Sequence, residues 1–313
     1  MIRTVTTSPS EQASAGSGRL RLYARHERSF EDHRYVYPVI SRRSRGLSVG
    51  VNLNPDKICN FDCVYCQVDR RTPGETSFVG LAELLRELET LLRLGATGAI
   101  FDRDKFRETP PALRRLNDIA FSGDGEPTTH RNFDEVVDAC AALKRRLGLD
   151  EVRMVLITNA SMFHRPHVRA ALRTLDENQG EIWAKLEAGT EAYFRRIDRT
   201  PIPFSQIVGN IAEVARVRPI VIQSLFLRFH GAGPPAEELE AYCERLNEIG
   251  AGGGRISMVQ VYTVARRPAD PAVRPLADHE VDAIVRRVRE RTGLEACGYY
   301  GQASDASDSG EGE

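Results

Sequence analysis

The stretch 46–70, GLSVGVNLNPDKICNFDCVYCQVDR, joins an apolar run to a loop that contains half of the six cysteines of the chain. Residues 46–53 form a continuous hydrophobic run, which is typical of a parallel strand covered on both faces. Cys59, Cys63 and Cys66 follow with the spacing C-x3-C-x2-C. If the run is the first strand of a barrel-like α/β fold, the three thiols lie at its carboxyl end, where such folds carry their active sites.

Apolar runs and amphipathic segments alternate along the rest of the chain. The predicted strands are residues 46–53, 118–123, 152–159, 181–189, 219–229 and 254–264. The predicted helices are residues 80–95, with Gly95 as the expected stop, and 132–148, 203–217, 234–250 and 276–293. Six βα units with right-handed crossovers are too few to close an eight-stranded barrel. The pattern therefore predicts an α/β fold, a partial (β/α)6 TIM-like barrel with a parallel sheet.

The ends of the chain differ from its middle. Residues 1–18 are rich in small polar residues and residues 303–313 are acidic, which predicts short disordered N- and C-terminal tails around one domain at 19–302. The sequence shows no secretory signal and no apolar run long enough for a bilayer, so we expect a cytoplasmic protein with no membrane partner. The net charge is −1, and +3 without the four acids of the C-terminal tail, so no polyanionic partner is required.

Three clustered thiols in a reducing compartment are typical of a metal site rather than of disulfides. Thiolates suit zinc, Cu⁺ or an iron–sulfur cluster. A structural zinc site needs four ligands, and the fourth would have to be a histidine or another cysteine. Cys140 and Cys243 fall in helical patterns and are interpreted as buried free thiols, whereas Cys297 has no assigned role. Three thiolates on a [4Fe–4S] cube would leave one iron open for an outside ligand.

The loop CNFDCVYC resembles the C-x3-C-x-aromatic-C signature of the radical S-adenosylmethionine (radical SAM) superfamily. The resemblance implies that Cys59, Cys63 and Cys66 hold a [4Fe–4S] cluster whose open iron binds SAM. It implies that the reduced cluster cleaves SAM to methionine and a 5′-deoxyadenosyl radical, which abstracts hydrogen from a substrate. Tyr65 matches the aromatic position whose backbone lies near the adenine. A one-electron reductant such as a flavodoxin or a ferredoxin is then expected, since the sequence shows no flavin or second-cluster motif.

A second motif, AFSGDGEPT at residues 120–128, ends the second predicted strand. It resembles the GGEP element of the superfamily, which binds the ammonium group of SAM, although Asp124 separates the two glycines. Glycines allow backbone carbonyls to approach a cation closely, and a carboxylate at a strand end complements the charge. The alternative is an ordinary strand-ending turn. The predicted contacts with the amino-acid part of SAM are Gly123, Gly125, Glu126, Pro127 and Thr128.

Polar residues also end the third and fourth predicted strands. The resemblance suggests that Asn159, Lys185 and Glu187 contact the ribose hydroxyls or the methionyl carboxylate of SAM. Lys185 and Glu187 share one face of their strand, so an internal ion pair is an equal alternative. A basic group ahead of the first strand either meets a phosphate or forms a solvated loop: Arg42, Arg43 and Arg45.

Most of residues 35–300 resemble a narrower group, the bacterial and archaeal Fe–S proteins grouped with the tRNA wyosine-base synthases. Those synthases use further cysteines ahead of the radical SAM loop, and this chain has none before Cys59. An anticodon-loop substrate favours a basic face and exposed aromatics, which the charge and the single Trp do not indicate. We therefore expect a radical SAM enzyme that acts on an unidentified small molecule, peptide or RNA. The alternatives are a tRNA-modifying (wyosine-like) enzyme, a zinc-binding structural module and an iron–sulfur electron carrier.

Overall fold

A mostly parallel sheet forms the centre of the protein in the computed structural model, which describes residues 30–72, 74, 78–266 and 268–301. Within these ranges the sheet has eight strands in the order β1-β2-β3-β4-β5-β6-β8-β10, and only β1 runs antiparallel to its neighbour. Strands β7 and β9 pair separately. The strands are β1 Val36–Ser41, β2 Gly46–Val51, β3 Leu116–Phe121, β4 Arg153–Thr158, β5 Gly180–Lys185, β6 Ile220–Leu225, β7 Leu227–Phe229, β8 Ile256–Tyr262, β9 Val273–Pro275 and β10 Ala296–Tyr299.

Helices connect the parallel strands, five of them at the places that the sequence predicts. They are α1 Leu81–Thr97, α2 Phe133–Arg146, α3 Pro166–Asp176, α4 Glu191–Asp198, α5 Phe204–Val217, α6 Ala236–Ala251 and α7 Asp278–Thr292. Across the described part of the chain, β2, β3, β4, β5, β6 and β8 are each followed by at least one helix, which confirms six βα units. No helix in the described ranges is both long enough and apolar enough to cross a membrane.

The sheet curls into a half-barrel and stays open, because β1 and β10 lie at its two edges. Arg42, directly after β1, donates a hydrogen bond to the backbone carbonyl of Tyr300, directly after β10. One side chain therefore bridges the two edges that a closed barrel would join by a strand ladder. The partial TIM-like barrel predicted from the sequence is confirmed.

Hydrophobic side chains pack on both faces of the sheet, with a large cluster on one face and a small cluster on the other. Buried leucines of α1, among them Leu84, Leu88 and Leu91, pack in the large cluster between the helices and the sheet. A small second cluster of Ala120, Val155, Trp183 and Val221 belongs to strands β3 to β6. This cluster does not fill the inside of the curl, and a cavity remains there.

Some predicted element boundaries were wrong. Helix α1 continues through Gly95, whose hydrogen packs against Leu47, and ends at Gly98, which has the left-handed conformation (φ 79°) that glycine tolerates. The predicted strand 219–229 is two strands, because the chain leaves the main sheet at Phe226. The prediction missed this break because both parts are equally apolar.

Other elements were missed, and some predictions fall outside the described residues. The short strands β1 and β10 and the helices α3 and α4 were not predicted from the sequence. The predicted tails at 1–18 and 303–313, and the domain limits at 19 and 302, lie outside the described residues and stay predictions.

Glu87→Ala tests how α1 fixes the entry of the chain into β1. The buried Glu87 carboxylate accepts hydrogen bonds from the N–H groups of Arg34, Tyr35 and Val36 at 2.9, 2.9 and 3.0 Å. Truncation leaves these donors without their acceptor, so we expect the free energy of unfolding in urea to fall by about 3 kcal/mol. Glu83→Ala, on a partly exposed turn of the same helix, should cost less than about 0.5 kcal/mol. Equal losses in the two variants would contradict this role of Glu87.

Candidate active site

A cavity of about 300 Å³ lies inside the curl of the sheet, beneath the loops that follow the carboxyl ends of the strands. All but two of the predicted site residues line it. These are Cys59, Cys63, Tyr65, Cys66, Gly123, Gly125, Glu126, Asn159, Lys185 and Glu187. The exceptions, Pro127 and Thr128, are buried beside Glu126 in the 3-10 turn Pro127–Thr129. The fold thus brings together residues that are scattered along the sequence.

The cysteine loop leaves β2 and docks on the carboxyl end of α4. The N–H of Val64 donates to the carbonyl of Ile197 at 2.9 Å. Inside the loop, the N–H of Cys66 donates to the carbonyl of Cys63 at 2.9 Å, which closes a turn between the last two cysteines. The positions of these two thiols are therefore fixed by backbone contacts.

Asn60 ties the cysteine loop to the end of β4. Its side-chain amide donates to Oγ of Ser161 at 2.8 Å, and its Oδ1 accepts from Nδ2 of Asn159 at 2.9 Å. Oδ1 of Asn159 in turn accepts from the Ser161 hydroxyl at 2.6 Å. Asn159 lines the cavity as predicted, but its amide is already used to position the loop.

Gly123 and Gly125 are required because two loops approach each other closely. A Cβ at Gly123 would lie 2.1 Å from Oδ1 of Asn52, and a Cβ at Gly125 would lie 2.2 Å from the carbonyl oxygen of Ile58. Asp124, which separates the glycines, accepts from Nδ2 of Asn52 at 2.7 Å and donates its N–H to Oδ1 of Asn52 at 3.0 Å. The extra residue in this GGEP-like turn is therefore paired with the loop that leads to Cys59.

The Glu126 carboxylate is hydrogen-bonded inside the chain, and the residue is only 3 % exposed. Oε1 accepts from the hydroxyls of Thr128 and Thr158, each at 2.6 Å, and Oε2 accepts from the N–H of Asn159 at 2.7 Å. Burial raises the pKa of the Glu126 carboxyl, and these hydrogen bonds oppose the rise. Glu126 therefore joins the turn after β3 to the end of β4 and acts on the cavity by positioning backbone.

A network of charged and hydroxyl groups lies beside Cys63. The Tyr65 hydroxyl donates to Oε1 of Glu187 at 2.9 Å, and Nζ of Lys185 lies 3.7 Å from the same oxygen. Oδ1 of Asp198 lies 3.5 Å from Sγ of Cys63 and 3.5 Å from the Tyr65 hydroxyl. The ion pair between Lys185 and Glu187 that the sequence allowed is present.

Burial dominates the protonation of this network. It raises the pKa of the Glu187 carboxyl against the pull of Lys185, and it raises the pKa of Asp198 well above its ordinary value with help from Glu187. Burial opposes the charge on Lys185, but Tyr262 and Glu187 outweigh it and raise the pKa of the ammonium. Burial and then Asp198 raise the pKa of the Cys63 thiol. Lys185 is therefore charged at neutral pH, and a metal must displace the proton of Cys63.

Residues that the sequence did not single out complete the surroundings of the thiols. Nη2 of Arg70 lies 3.5 Å from Sγ of Cys66, and Nη1 of Arg70 donates to the carbonyl of Lys57. Asn60 and Arg70 lie inside or next to the cysteine motif, and this position was the available signal for them. Asp198 ends a helix that the hydropathy pattern did not reveal, so no local signal could have identified it.

The donor set around the cavity suits an iron–sulfur cube. Cys59, Cys63 and Cys66 are partly buried and line the same space, whereas the other cysteines lie in α2, in α6 and on β10. Among the described residues, no three His, Cys, Asp or Glu side chains are grouped as one metal ion would require. The thiolates of a cubane bind different irons and need not converge on one point. The residues present therefore fit a cluster held by three thiolates.

A family model described as the radical SAM superfamily matches residues 53–246, which include the cysteine loop and the GDGEPT turn. The chain belongs to the radical SAM superfamily. The predicted family and the prediction that the protein is an enzyme are both confirmed by this match. Membership favours an enzyme over the zinc-binding module and the electron carrier that the sequence left open.

The curated relatives of this radical SAM enzyme are longer proteins. It is 29% identical over 177 residues to a UPF0026 protein of Helicobacter pylori, which covers 56% of this chain and 48% of the relative. It is 24% identical over 250 residues to a protein named GTPase Obg from Brachyspira hyodysenteriae, which covers 78% of this chain and 32% of the relative. The chain thus spans about a third to a half of the length of these relatives.

A solved structure of a spore photoproduct lyase variant shares the fold of this radical SAM enzyme. The TM-score is 0.55 and the sequence identity is 12%, and the match covers 89% of this chain and 81% of that chain. At this identity the similarity supports the half-barrel fold and indicates no particular substrate.

Gly125→Ala tests the close contact between the GDGEPT turn and the cysteine loop. The added methyl would meet the carbonyl oxygen of Ile58 at 2.2 Å, so we expect the free energy of unfolding to fall by about 1–3 kcal/mol in urea denaturation. Gly209→Ala in α5 is the matched control, because nothing lies within 4 Å of its Cβ. Helix propensity should make that control more stable by about 0.5–1 kcal/mol. An unchanged unfolding midpoint for Gly125→Ala would show that the two loops are not in contact.

Proposed function

We propose that this radical SAM enzyme holds a [4Fe–4S] cluster on Cys59, Cys63 and Cys66 and binds the amino-acid end of SAM at the GDGEPT turn. The observation that carries the proposal is that the three thiols and the glycine turn line one cavity. Gly125 also touches Ile58, the residue before the first cysteine ligand. When bound, the cluster supplies the electron that cleaves SAM to methionine and a 5′-deoxyadenosyl radical, which takes hydrogen from the substrate.

In this proposal the glycine turn recognises the ammonium group of SAM. Gly123 and Gly125 have no side chains, so their backbone carbonyls can come close to a cation. Glu126 supports the turn from behind through Thr128 and Thr158, and Pro127 begins the short 3-10 turn that buries it. Glu126, Pro127 and Thr128 are thus assigned a positioning role rather than direct contact with SAM.

The charge network beside Cys63 is proposed to receive the rest of SAM. Lys185 keeps its charge, and its side chain is 24% exposed toward the cavity, so it can face the methionyl carboxylate or the ribose hydroxyls. Glu187 holds the Tyr65 hydroxyl at 2.9 Å and thereby orients the backbone that would lie along the adenine. Asn159 holds the cysteine loop through Asn60, so it acts on the bound cluster by positioning that loop and not by direct contact.

The reductant, the location and the substrate belong to the same proposal. Iron–sulfur cubes have low reduction potentials, so a one-electron donor such as a flavodoxin or a ferredoxin is required. Clustered free thiols and such donors point to the cytoplasm as the compartment. The substrate is a small molecule, a peptide or an RNA, and a wyosine-like reaction on tRNA stays the alternative.

The decisive experiment is anaerobic reconstitution with iron and sulfide, reduction with dithionite in the presence of SAM, and detection of 5′-deoxyadenosine by chromatography. We expect 5′-deoxyadenosine from the wild type and none from a variant with Cys59, Cys63 and Cys66 all changed to Ala. Tightly bound zinc with no 5′-deoxyadenosine would refute the proposed chemistry.

Cys63→Ala alone should prevent assembly of the cluster, because two thiolates cannot hold the cube that three are proposed to hold. We expect iron content and 5′-deoxyadenosine production to fall to background while the circular dichroism spectrum is retained. Cys297→Ala is the control, because this half-buried thiol on β10 does not line the cavity, and it should load iron as the wild type does. A full iron complement in Cys63→Ala would remove this residue from the set of ligands.

A further inference from the structure

The turn between β1 and β2 carries an arginine into the cavity that the proposed function does not use. Arg43 lines the cavity together with the thiols, but it comes from the opposite end of β2. The cysteine loop follows the carboxyl end of this strand of six residues, and Arg43 precedes its amino end. The Arg43 side chain nevertheless reaches the middle of the sheet, because it meets Tyr262, whose hydroxyl also contacts Nζ of Lys185. Arg43 therefore enters the cavity from the side opposite the cysteine loop and ends beside the Lys185 network.

Two aromatic rings lie within cation–π distance of the Arg43 guanidinium. Its Cζ lies 5.6 Å from the centre of the Trp183 ring and 5.1 Å from that of Tyr262. Both rings are oriented by polar contacts, since Nε1 of Trp183 donates to Oε2 of Glu181 at 3.0 Å and the Tyr262 hydroxyl lies 3.4 Å from Nζ of Lys185. Stacking on aromatic faces leaves the N–H groups at the edge of a guanidinium available as donors.

The described part of the chain does not use these donors. Among the described residues, no carboxylate or carbonyl accepts a hydrogen bond from Arg43. The nearby carboxylates are bound elsewhere, because Glu181 pairs with Arg153 at 2.6 Å and Asp118 accepts from Ser48. A half-buried arginine with no anionic partner among the described residues is suited to bind an anionic ligand.

The cavity wall carries charges of both signs. Arg42 and Arg266 line it together with Asp118, whose carboxylate already accepts from Ser48. The neighbouring cavity wall is apolar, with Ala120, Val155 and Ile157 beside Trp183. A small organic molecule with an anionic end and an apolar body complements this arrangement.

We propose that Arg43 binds a carboxylate or phosphate group of the substrate. The planar guanidinium can hold either group with two parallel hydrogen bonds. The inference rests on the proposed function, because it takes this cavity as the place where substrate meets SAM. It narrows the substrate to an anion and assigns the anionic end to the part of the cavity beside Trp183 and Tyr262.

Trp183 provides a direct readout, because it is the only tryptophan in the sequence and Arg43 stacks on it. The full-length, reconstituted protein is titrated with inorganic phosphate or with acetate at constant ionic strength, and its fluorescence is followed. We expect a saturable change whose midpoint shifts roughly tenfold or more to higher concentration in Arg43→Gln. The anion that binds more tightly identifies the phosphate or the carboxylate form of the proposal. Arg43→Lys keeps the positive charge but loses the planar pair of N–H donors, so its midpoint should lie between those of the wild type and Arg43→Gln.

Arg45→Gln is the matched control, because Arg45 is an exposed residue of the same turn and does not line the cavity. It should bind the anion as the wild type does. An equal loss in Arg45→Gln would indicate a diffuse positive surface and overturn the proposal, as would an unchanged midpoint in Arg43→Gln. If Arg43→Gln does not fold, Arg43→Lys decides, and a wild-type midpoint in that variant overturns the bidentate contact.

Two further measurements separate this inference from the proposed function. Titration with methionine tests whether Arg43 instead binds the carboxylate of SAM, and an effect of methionine that Arg43→Gln abolishes would overturn the substrate assignment. The same preparations are assayed for 5′-deoxyadenosine. Anion binding through Arg43 without 5′-deoxyadenosine would contradict only the proposed chemistry. Production of 5′-deoxyadenosine without anion binding would contradict only the role of Arg43.

Discussion

The Glu126 carboxylate, buried between the ends of β3 and β4, sets the geometry of the candidate active site. Its Oε2 holds the backbone of Asn159, and the Asn159 amide holds Asn60, the residue next to Cys59. On the other side, Gly125 packs against the carbonyl of Ile58, which also neighbours Cys59. The first cysteine is therefore flanked on one side by the Asn159 contact that depends on the Glu126 carboxylate and on the other by Gly125, the residue before Glu126. Burial of a carboxylate is costly, and the hydrogen bonds from Thr128, Thr158 and Asn159 offset that cost.

The open barrel explains why two neighbouring parts of the cavity differ. The edges of the sheet are bridged by Arg42 on the carbonyl of Tyr300 rather than by a strand ladder. The turn that supplies Arg42 also supplies Arg43, which reaches Trp183 and Tyr262 inside the curl. Tyr262 also contacts the Lys185 ammonium, which lies beside Glu187, the Tyr65 ring and the thiol of Cys63. One cavity therefore offers a mixed-charge region at the thiols and, next to it, an arginine held between aromatic rings.

The sequence predicted the family, the six βα units and a set of site residues most of which line one cavity, because each depends on a short pattern. The cysteine spacing and the glycine turn are contiguous motifs, and buried parallel strands are continuous apolar runs. Predictions were wrong where a local signal had another cause. Gly95 was interpreted as a helix stop, but it is a packing residue against Leu47, and Gly98 ends the helix. The run 219–229 is apolar throughout, although its two halves belong to different sheets.

Motifs within a few residues of each other are sufficient to recognise a radical SAM fold and its thiols, because residue type and spacing carry that information. The partners of those thiols are distant in sequence. Asp198 reaches Cys63 across 135 positions, and Asn159 reaches Asn60 across 99 positions. Nothing near Asp198 in the chain indicates the cavity, and the basic group at Arg43 fitted a solvated loop as well as a phosphate site, since each residue enters the cavity only when the sheet curls and the helices dock. Packing between remote segments therefore decides what each residue contacts. Glu126 supports the glycine turn and the end of β4, Lys185 pairs with Glu187, and Arg43 lies between Trp183 and Tyr262.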